Sequence, residues 1–433
     1  MKKKLAALSV AAALLLSACS IIDNNDPIPT TSPLPEVFES EVPEETEQVT
    51  EAKTEEPQPT EPEITEPETP EYVPTVFSKE ELESGYLYLS GDEQFLVSKN
   101  KNIITLILDA ADTQYVTKLL KNNPSAFEGL EDFTLYTNTC SVFDSTFQSM
   151  TQIYSGFTTL PTYGVAAWNE DAWGTEMSKE FYNRFHKAGY KMNFFVDADW
   201  ELRHLLGRVD SVAINDEPVD GRDFYHVNYG FADKVDTLTT AEDDYNYFIV
   251  QHLWGAHKPI DMDTFPDQME YLFNIMKDYL DMLKELGVYE DATIIIMGDH
   301  GSHDLYNYPD STPLFMIKEP GAHHETIKAT TTPIYFTDLM ATYLVNAGLY
   351  NEETDKELFG SSIYDFDENS VRERTANYRS YNENYPYSPK SPLCHAYGYN
   401  VIYSYTYTGN SMNLLKEVND GNCTVTWMEE DAA

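Results

Sequence analysis

Two stretches of the chain are almost wholly apolar and end in an acid. Ile103-Ile104-Thr105-Leu106-Ile107-Leu108 runs into Asp109, and Thr293-Ile294-Ile295-Ile296-Met297 runs through Gly298 into Asp299-His300-Gly301. Apolar runs of this length, bounded by turn residues, predict strands buried on both faces. Further strands are predicted over residues 133–140, 192–196, 247–250 and 314–317. Between them the period changes. Met269, Leu272, Phe273, Met276, Leu280, Leu283 and Leu286 form a helical stripe stopped by Gly287, and helices are also predicted over 112–121, 147–154 and 178–187. A last helix is predicted over 333–347, with Thr332 as N-cap, Pro333 at N1 and Gly348 past its end. From 197 to about 243 the pattern is weak and reads as an insertion or a string of loops. The tail over 399–427, rich in Tyr, Thr and Val, predicts a small antiparallel β unit. Alternating strands and helices predict an α/β fold with a mainly parallel sheet covered on both faces. Sites in such sheets form at the carboxyl ends of strands, so two acid-tipped strands, one with an adjacent imidazole, suggest a metal at the sheet edge.

Residues 1–19 read as a lipoprotein signal peptide. Lys2, Lys3 and Lys4 precede a short apolar stretch over 5–18, too short to span a bilayer. Leu16-Ser17-Ala18-Cys19 resembles the bacterial lipobox, which implies cleavage before Cys19, lipidation of its sulfur and stable attachment to the membrane. The expected location is extracytoplasmic, on a cell membrane, with a Gram-positive surface favoured. Residues 20–78 are dominated by Pro, Glu and Thr. They cannot bury enough apolar surface to offset chain entropy and read as an acidic, disordered tether, either a stalk or filler without a selected length. Residues 79–365 are expected to form the catalytic domain, and 366–433 a β-rich subdomain.

The net charge of -45 disfavours nucleic acid as a partner, because an acidic surface repels phosphate backbones. An enzyme acting on phosphate or sulfate esters would then need a local cation. Beyond Cys19 the cysteines are Cys140, Cys394 and Cys423. A Cys394–Cys423 disulfide is permitted outside the cytoplasm, as are three free thiols, and no pair has zinc-finger spacing.

Phe143-Asp144-Ser145-Thr146-Phe147-Gln148-Ser149-Met150 lies between the acid-tipped strands. A Ser-Thr pair before a helix is compatible with an N-cap. It is equally compatible with a nucleophile, because a helix N-terminus favours anions and a neighbouring metal activates a hydroxyl.

The order of these pieces resembles the alkaline phosphatase and sulfatase superfamily, and within it the lipoteichoic-acid-synthase-like and phosphoethanolamine-transferase branch. Ser145-Thr146-Phe147-Gln148-Ser149-Met150 resembles the nucleophile segment and Lys187-Ala188-Gly189-Tyr190 the turn before a strand. Pro313 to Gly321 resembles the strand after the metal site and Thr337 to Thr342 the late helix. The likeness spans roughly 102–348. It implies an alkaline-phosphatase-like fold in which Asp109, Thr146, Asp299 and His300 hold one divalent metal ion; hard oxygen ligands with one imidazole suit manganese, zinc or magnesium. Thr146 would be ligand and nucleophile, His257 the substrate-side histidine, and Trp254, on position, part of the pocket lining. His303 reads as a loop residue that could add a ligand. His323 and His324 read as surface residues, and Asp112 as a first-turn acid.

The chain departs from the pattern in places. Asp109 stands where the transferase branch usually has Glu, and the branch's membrane domain is replaced by the expected lipid anchor. Leu253 stands where a two-metal phosphodiesterase has Asp, and Cys140-Ser141-Val142-Phe143-Asp144 lacks the Cys-x-Pro-x-Arg of a formylglycine sulfatase. The resemblance therefore implies a metal-dependent phosphotransferase or phosphodiesterase acting on envelope-polymer or lipid head-group esters. The alternatives are a sulfate or phosphate monoester hydrolase on the same scaffold, and a non-catalytic surface-binding lipoprotein.

Overall fold

The computed structural model describes residues 93–161, 165–196, 204–214, 227–256, 264–302, 312–380 and 401–429. Cys19, the expected tether, His257, His303 and Cys394 lie outside these residues. In chain order the first elements are β1 (Leu96–Val97), β2 (Asn102–Leu108), α1 (Thr113–Asn122), β3 (Thr134–Cys140) and α2 (Thr146–Ser155). Next come α3 (Val165–Gly174), α4 (Glu176–Lys187), β4 (Tyr190–Val196), β5 (Ser211–Ile214), α5 (Val227–Ala232), β6 (Thr239–Thr240) and β7 (Asn246–Leu253). Then follow α6 (Phe265–Glu285), β8 (Thr293–Met297), β9 (Phe315–Lys318), β10 (Lys328–Tyr335), α7 (Leu339–Ala347) and α8 (Glu352–Phe359). The last are β11 (Arg374–Ser380), β12 (Val401–Tyr407), α9 (Leu414–Asn419) and β13 (Cys423–Glu429).

The central sheet has eight strands in the order β10-β3-β9-β8-β2-β7-β4-β5. Only β9 runs against its neighbours. The α/β class and the small C-terminal antiparallel sheet (β11-β12-β13) are as expected. The apolar runs are explained by cores on both faces of the sheet. In β2, Ile104, Leu106 and Leu108 pack into one core with α1 and α6, while Ile103 and Ile107 pack into the other with α2, α4 and α7. In β8, Ile294 and Ile296 face the first core, and Ile295 and Met297 the second. Each such fully buried side chain contributes about 1.5–3 kcal/mol, so the strands that carry the acids are held from both sides.

One predicted element is corrected. Residues 333–335 are not helical: they end β10, which pairs with β3 in parallel, Pro333 opposite Asn138. The register shifts between Thr330 and Pro333, and β10 lies at the sheet edge, where a residue without an N–H is tolerated. A 3-10 turn, Phe336–Asp338, follows with a Tyr335/Asp338 capping box, and α7 starts only at Leu339.

The C-terminal sheet is bound to the central one. Asn377 donates from its backbone N (3.0 Å) and its Nδ2 (2.8 Å) to the Val142 carbonyl. Arg374, 1% exposed, donates to the Asn138 carbonyl and side chain. Cys140 packs in one cluster with Tyr378, Tyr403, Tyr405 and Tyr407. Cys140 and Cys423 are free thiols, and burial raises the pKa of both.

Candidate metal centre

β2 and β8 are immediate neighbours with Ile107 opposite Met297, so the two acid-bearing turns leave the sheet side by side. Asp109 is 2% exposed, and Asp299 and His300 are fully buried. The backbone there is packed too closely for ordinary side chains. A Cβ on Gly298 would strike the Ala111 carbonyl, and one on Gly255, at φ +62°, the Asp109 nitrogen. Asp109 N donates to the Leu253 carbonyl, and Ala256 N to the Asp109 carbonyl. Ala110 is held in the left-handed region at φ 55°, a costly conformation for a residue with a Cβ. In this conformation Ala110 N donates to Asp299 Oδ1 at 3.0 Å. One oxygen of Asp299 is thus fixed by the neighbouring strand end, and the other, Oδ2, is buried and accepts no hydrogen bond.

Thr146 comes from the opposite side, as the first residue of α2. Ser145 takes the N-cap position, yet its hydroxyl bonds the Gln148 side chain and caps no helix amide. Thr146 is therefore not the cap. Its Oγ1 donates to Asp109 Oδ2 at 3.1 Å and lies 3.3 Å from His300 Nε2. His300 Nδ1 lies 2.7 Å from the Gly301 carbonyl, which can only accept. Nδ1 is therefore the nitrogen that donates, which leaves Nε2 as the ring atom turned toward the acids, the arrangement used by metal-ligating histidines. Nε2 lies 3.3 Å from Asp299 Oδ2 and 3.7 Å from Asp109 Oδ1.

Asp109, Asp299 and His300 are the group among the described residues whose ligand atoms could share an ion, all lying within 4.8 Å of one another. A tetrahedral ion bound at about 2.1 Å needs ligand atoms roughly 3.4 Å apart, and the distances above bracket that value. Two buried carboxylates, an imidazole nitrogen and a hydroxyl oxygen, brought this close together, fit a divalent cation. The donor set is compatible with manganese, zinc and magnesium.

The structure brings Asp109, Thr146, Asp299 and His300 together. Trp254 follows β7 directly and packs, half-buried, against the α6-side core. His323 is surface-exposed beside Glu290 and Asp132. Asp112 is the N-cap of α1, not a first-turn acid. One neighbour is not foreseen: His252, fully buried on β7 opposite Ile107, with Nε2 4.0 Å from Asp109 Oδ2. In the sequence it hides beside Gln251 as one of two polar residues at the end of an apolar run, and its partner strand is fixed only by the fold.

No family model and no curated protein matches the chain. Solved structures do. The lipoteichoic acid synthase LtaP from Listeria monocytogenes is similar over 79% of this chain and 97% of its own, at 15% identity and TM-score 0.46. A protein in the alkaline phosphatase superfamily from Vibrio parahaemolyticus is similar over 78% and 84%, at 11% and 0.46. The C-terminal periplasmic domain of EcEptC from Escherichia coli, in complex with Zn, is similar over 64% and 88%, at 12% and 0.42.

Proposed function

We propose that the chain is an extracytoplasmic, metal-dependent transferase or hydrolase of the alkaline phosphatase and sulfatase kind, acting on phosphodiesters of envelope polymers or lipid head groups. The observation that carries this reading is the Thr146 hydroxyl, 3.1 Å from Asp109 Oδ2 and 3.3 Å from His300 Nε2. A threonine of the first helical turn has no helical reason to meet a buried acid and imidazole from two other strands. A divalent cation held by Asp109, Thr146, Asp299 and His300 would supply a lowered hydroxyl pKa and charge compensation for the transferring oxygens. The rest belongs to the chain. Asp109 Oδ2 holds the Thr146 proton, and Thr146 Oγ1 is aimed by the start of α2, whose dipole favours an anion in front of it. Thr146 Oγ1 would form the new bond to phosphorus while the ester oxygen leaves, and an alcohol or water would then release the group. His257 is proposed as the residue that protonates the leaving oxygen, and Trp254 as part of the pocket, both on the sequence resemblance. Attachment through a lipid on Cys19 is proposed on the lipobox; no helix among the described residues is long and apolar enough to cross a membrane.

The test is covalent trapping. Wild-type protein mixed with an aryl phosphodiester and Mn²⁺, then acid-quenched, is expected to carry an adduct on Thr146 by intact-mass and peptide analysis. Thr146→Ala is expected to carry none and to lose at least about 10³-fold in kcat, while Thr146→Ser keeps part of both. Full turnover by Thr146→Ala sinks the proposal. Turnover of aryl sulfate with the phosphodiester left untouched moves the substrate to sulfate esters.

A further inference from the structure

Asp112 is fully buried, and only one of its two oxygens serves the helix it caps. Oδ1 accepts from Gln114 N at 2.8 Å, the ordinary N-cap bond of α1. Oδ2 does something that α1 does not need. It accepts from Ser302 N at 3.0 Å and from Thr312 N at 2.9 Å. Ser302 lies two residues after His300, and Thr312 is where the described chain resumes after residue 302. A single oxygen therefore gathers the chain leaving the Asp299–His300 corner and the chain returning to it. It fixes both to the residue three places beyond Asp109. Neighbouring bonds follow the same seam: Thr113 N to the Thr312 carbonyl, Leu314 N to the Ala111 carbonyl, and Gly298 N to the Leu314 carbonyl. Tyr115 adds its hydroxyl to Ser302 Oγ at 3.1 Å.

We propose that Asp112 is a positioning residue for the metal centre: its second carboxylate oxygen staples the His300 turn to the end of the Asp109 strand and so sets the affinity of the site for a divalent cation. This rests on the reading of Asp109, Thr146, Asp299 and His300 as ligands. An N-cap alone calls for one acceptor, which Ser, Thr or Asn also provides. The staple needs a second oxygen on the far side of the same carbon, which only a carboxylate of this length offers while still capping α1. Buried backbone N–H groups require an acceptor, so removing Oδ2 withdraws the one that ties Ser302 N and Thr312 N to α1 and loosens the hold on the turn that carries His300.

The experiment is calorimetric titration of the full chain with Mn²⁺, which needs no substrate. Asp112→Ser keeps the cap and removes the staple. Its Kd for Mn²⁺ is expected to rise at least tenfold, the usual cost of losing a group that orients a metal ligand. Thr342→Val is the control for a general loss of packing. Thr342 Oγ1 accepts from the buried Ile363 N on α7, away from the centre, so this variant loses stability while its Kd is expected to stay within twofold of wild type. Should Asp112→Ser fail to fold, Asp112→Asn, which retains one acceptor, takes its place, with an expected rise of at least threefold. A folded Asp112 variant that binds Mn²⁺ as wild type does, or a Thr342→Val loss equal to that of Asp112→Ser, overturns the inference and leaves the metal reading standing. A wild-type chain that binds no Mn²⁺ overturns both.

Discussion

Asp299 and Asp112 are both buried carboxylates, and they meet burial differently. Asp299 leaves one oxygen without a hydrogen bond, facing the imidazole and the second acid. Asp112 spends both of its oxygens on backbone donors, and burial still pushes its carboxyl from 3.8 up to about 7. The sign of the consequence follows from proton counts. Below pH 3.8 folded and unfolded chains both hold the proton. Between 3.8 and about 7 the folded chain keeps it and the unfolded chain releases it, so this group's contribution falls as pH rises through that window. The gap corresponds to roughly 4 kcal/mol at most. In metal-free protein, the stability deficit of Asp112→Asn relative to wild type is expected to shrink as pH is raised from 4 to 7. Urea unfolding across that range measures it, and a constant difference would refute it. At this scale the sequence singles out Asp109, Asp299 and His300, because they end apolar runs, and Thr146 only through the resemblance of its segment. It does not disclose the second oxygen of Asp112 or the nearness of His252, since their partners lie far along the chain and meet them only through strand order.

The elements were legible where one physical cause dominated. The runs in β2 and β8 are apolar on both sides because a core lies on each face, and no other structure explains them so simply. Residues 333–335 belong to a strand and not to the expected helix because Thr-Pro before an apolar stretch is the signature of a helix start and is equally at home at a break in an edge strand. Nothing local distinguishes the two; the pairing with β3 decides. The turn after β7 has little room for change. Gly255 has a positive φ, and the Asp109 backbone occupies the place of its missing Cβ. Gly255→Ala thus combines backbone strain with a collision against backbone that cannot swing away. It is expected to cost more than about 3 kcal/mol by chemical denaturation; a loss below 1 kcal/mol would show that β2 and β7 can part there without penalty.

Across the whole molecule, the C-terminal sheet shares its packing with the end of β3 and grips the segment that leads to Thr146. Ending the chain at residue 366 would strip the Val142 carbonyl of both Asn377 donors and the Asn138 carbonyl of Arg374, and would uncover Cys140. The truncated chain is expected to lose its cooperative thermal transition and its Mn²⁺ binding together, by circular dichroism and calorimetry. An unchanged melt would mean that the two sheets fold independently.

The strand order also has a geometric consequence. The strand that leads to Thr146 is two places from the strand that leads to Asp299, with β9 between them, a gap of about 10 Å. Residues 141–146 cross it like the jib of a crane, pinned at the root by Arg374 and along its flank by Asn377. One residue more or fewer shifts the tip by about 3.3 Å, as far as the entire 3.3 Å from Thr146 Oγ1 to His300 Nε2. Descendants of this chain are free to exchange one alcohol for another at the end of the boom, but not to alter its number of links.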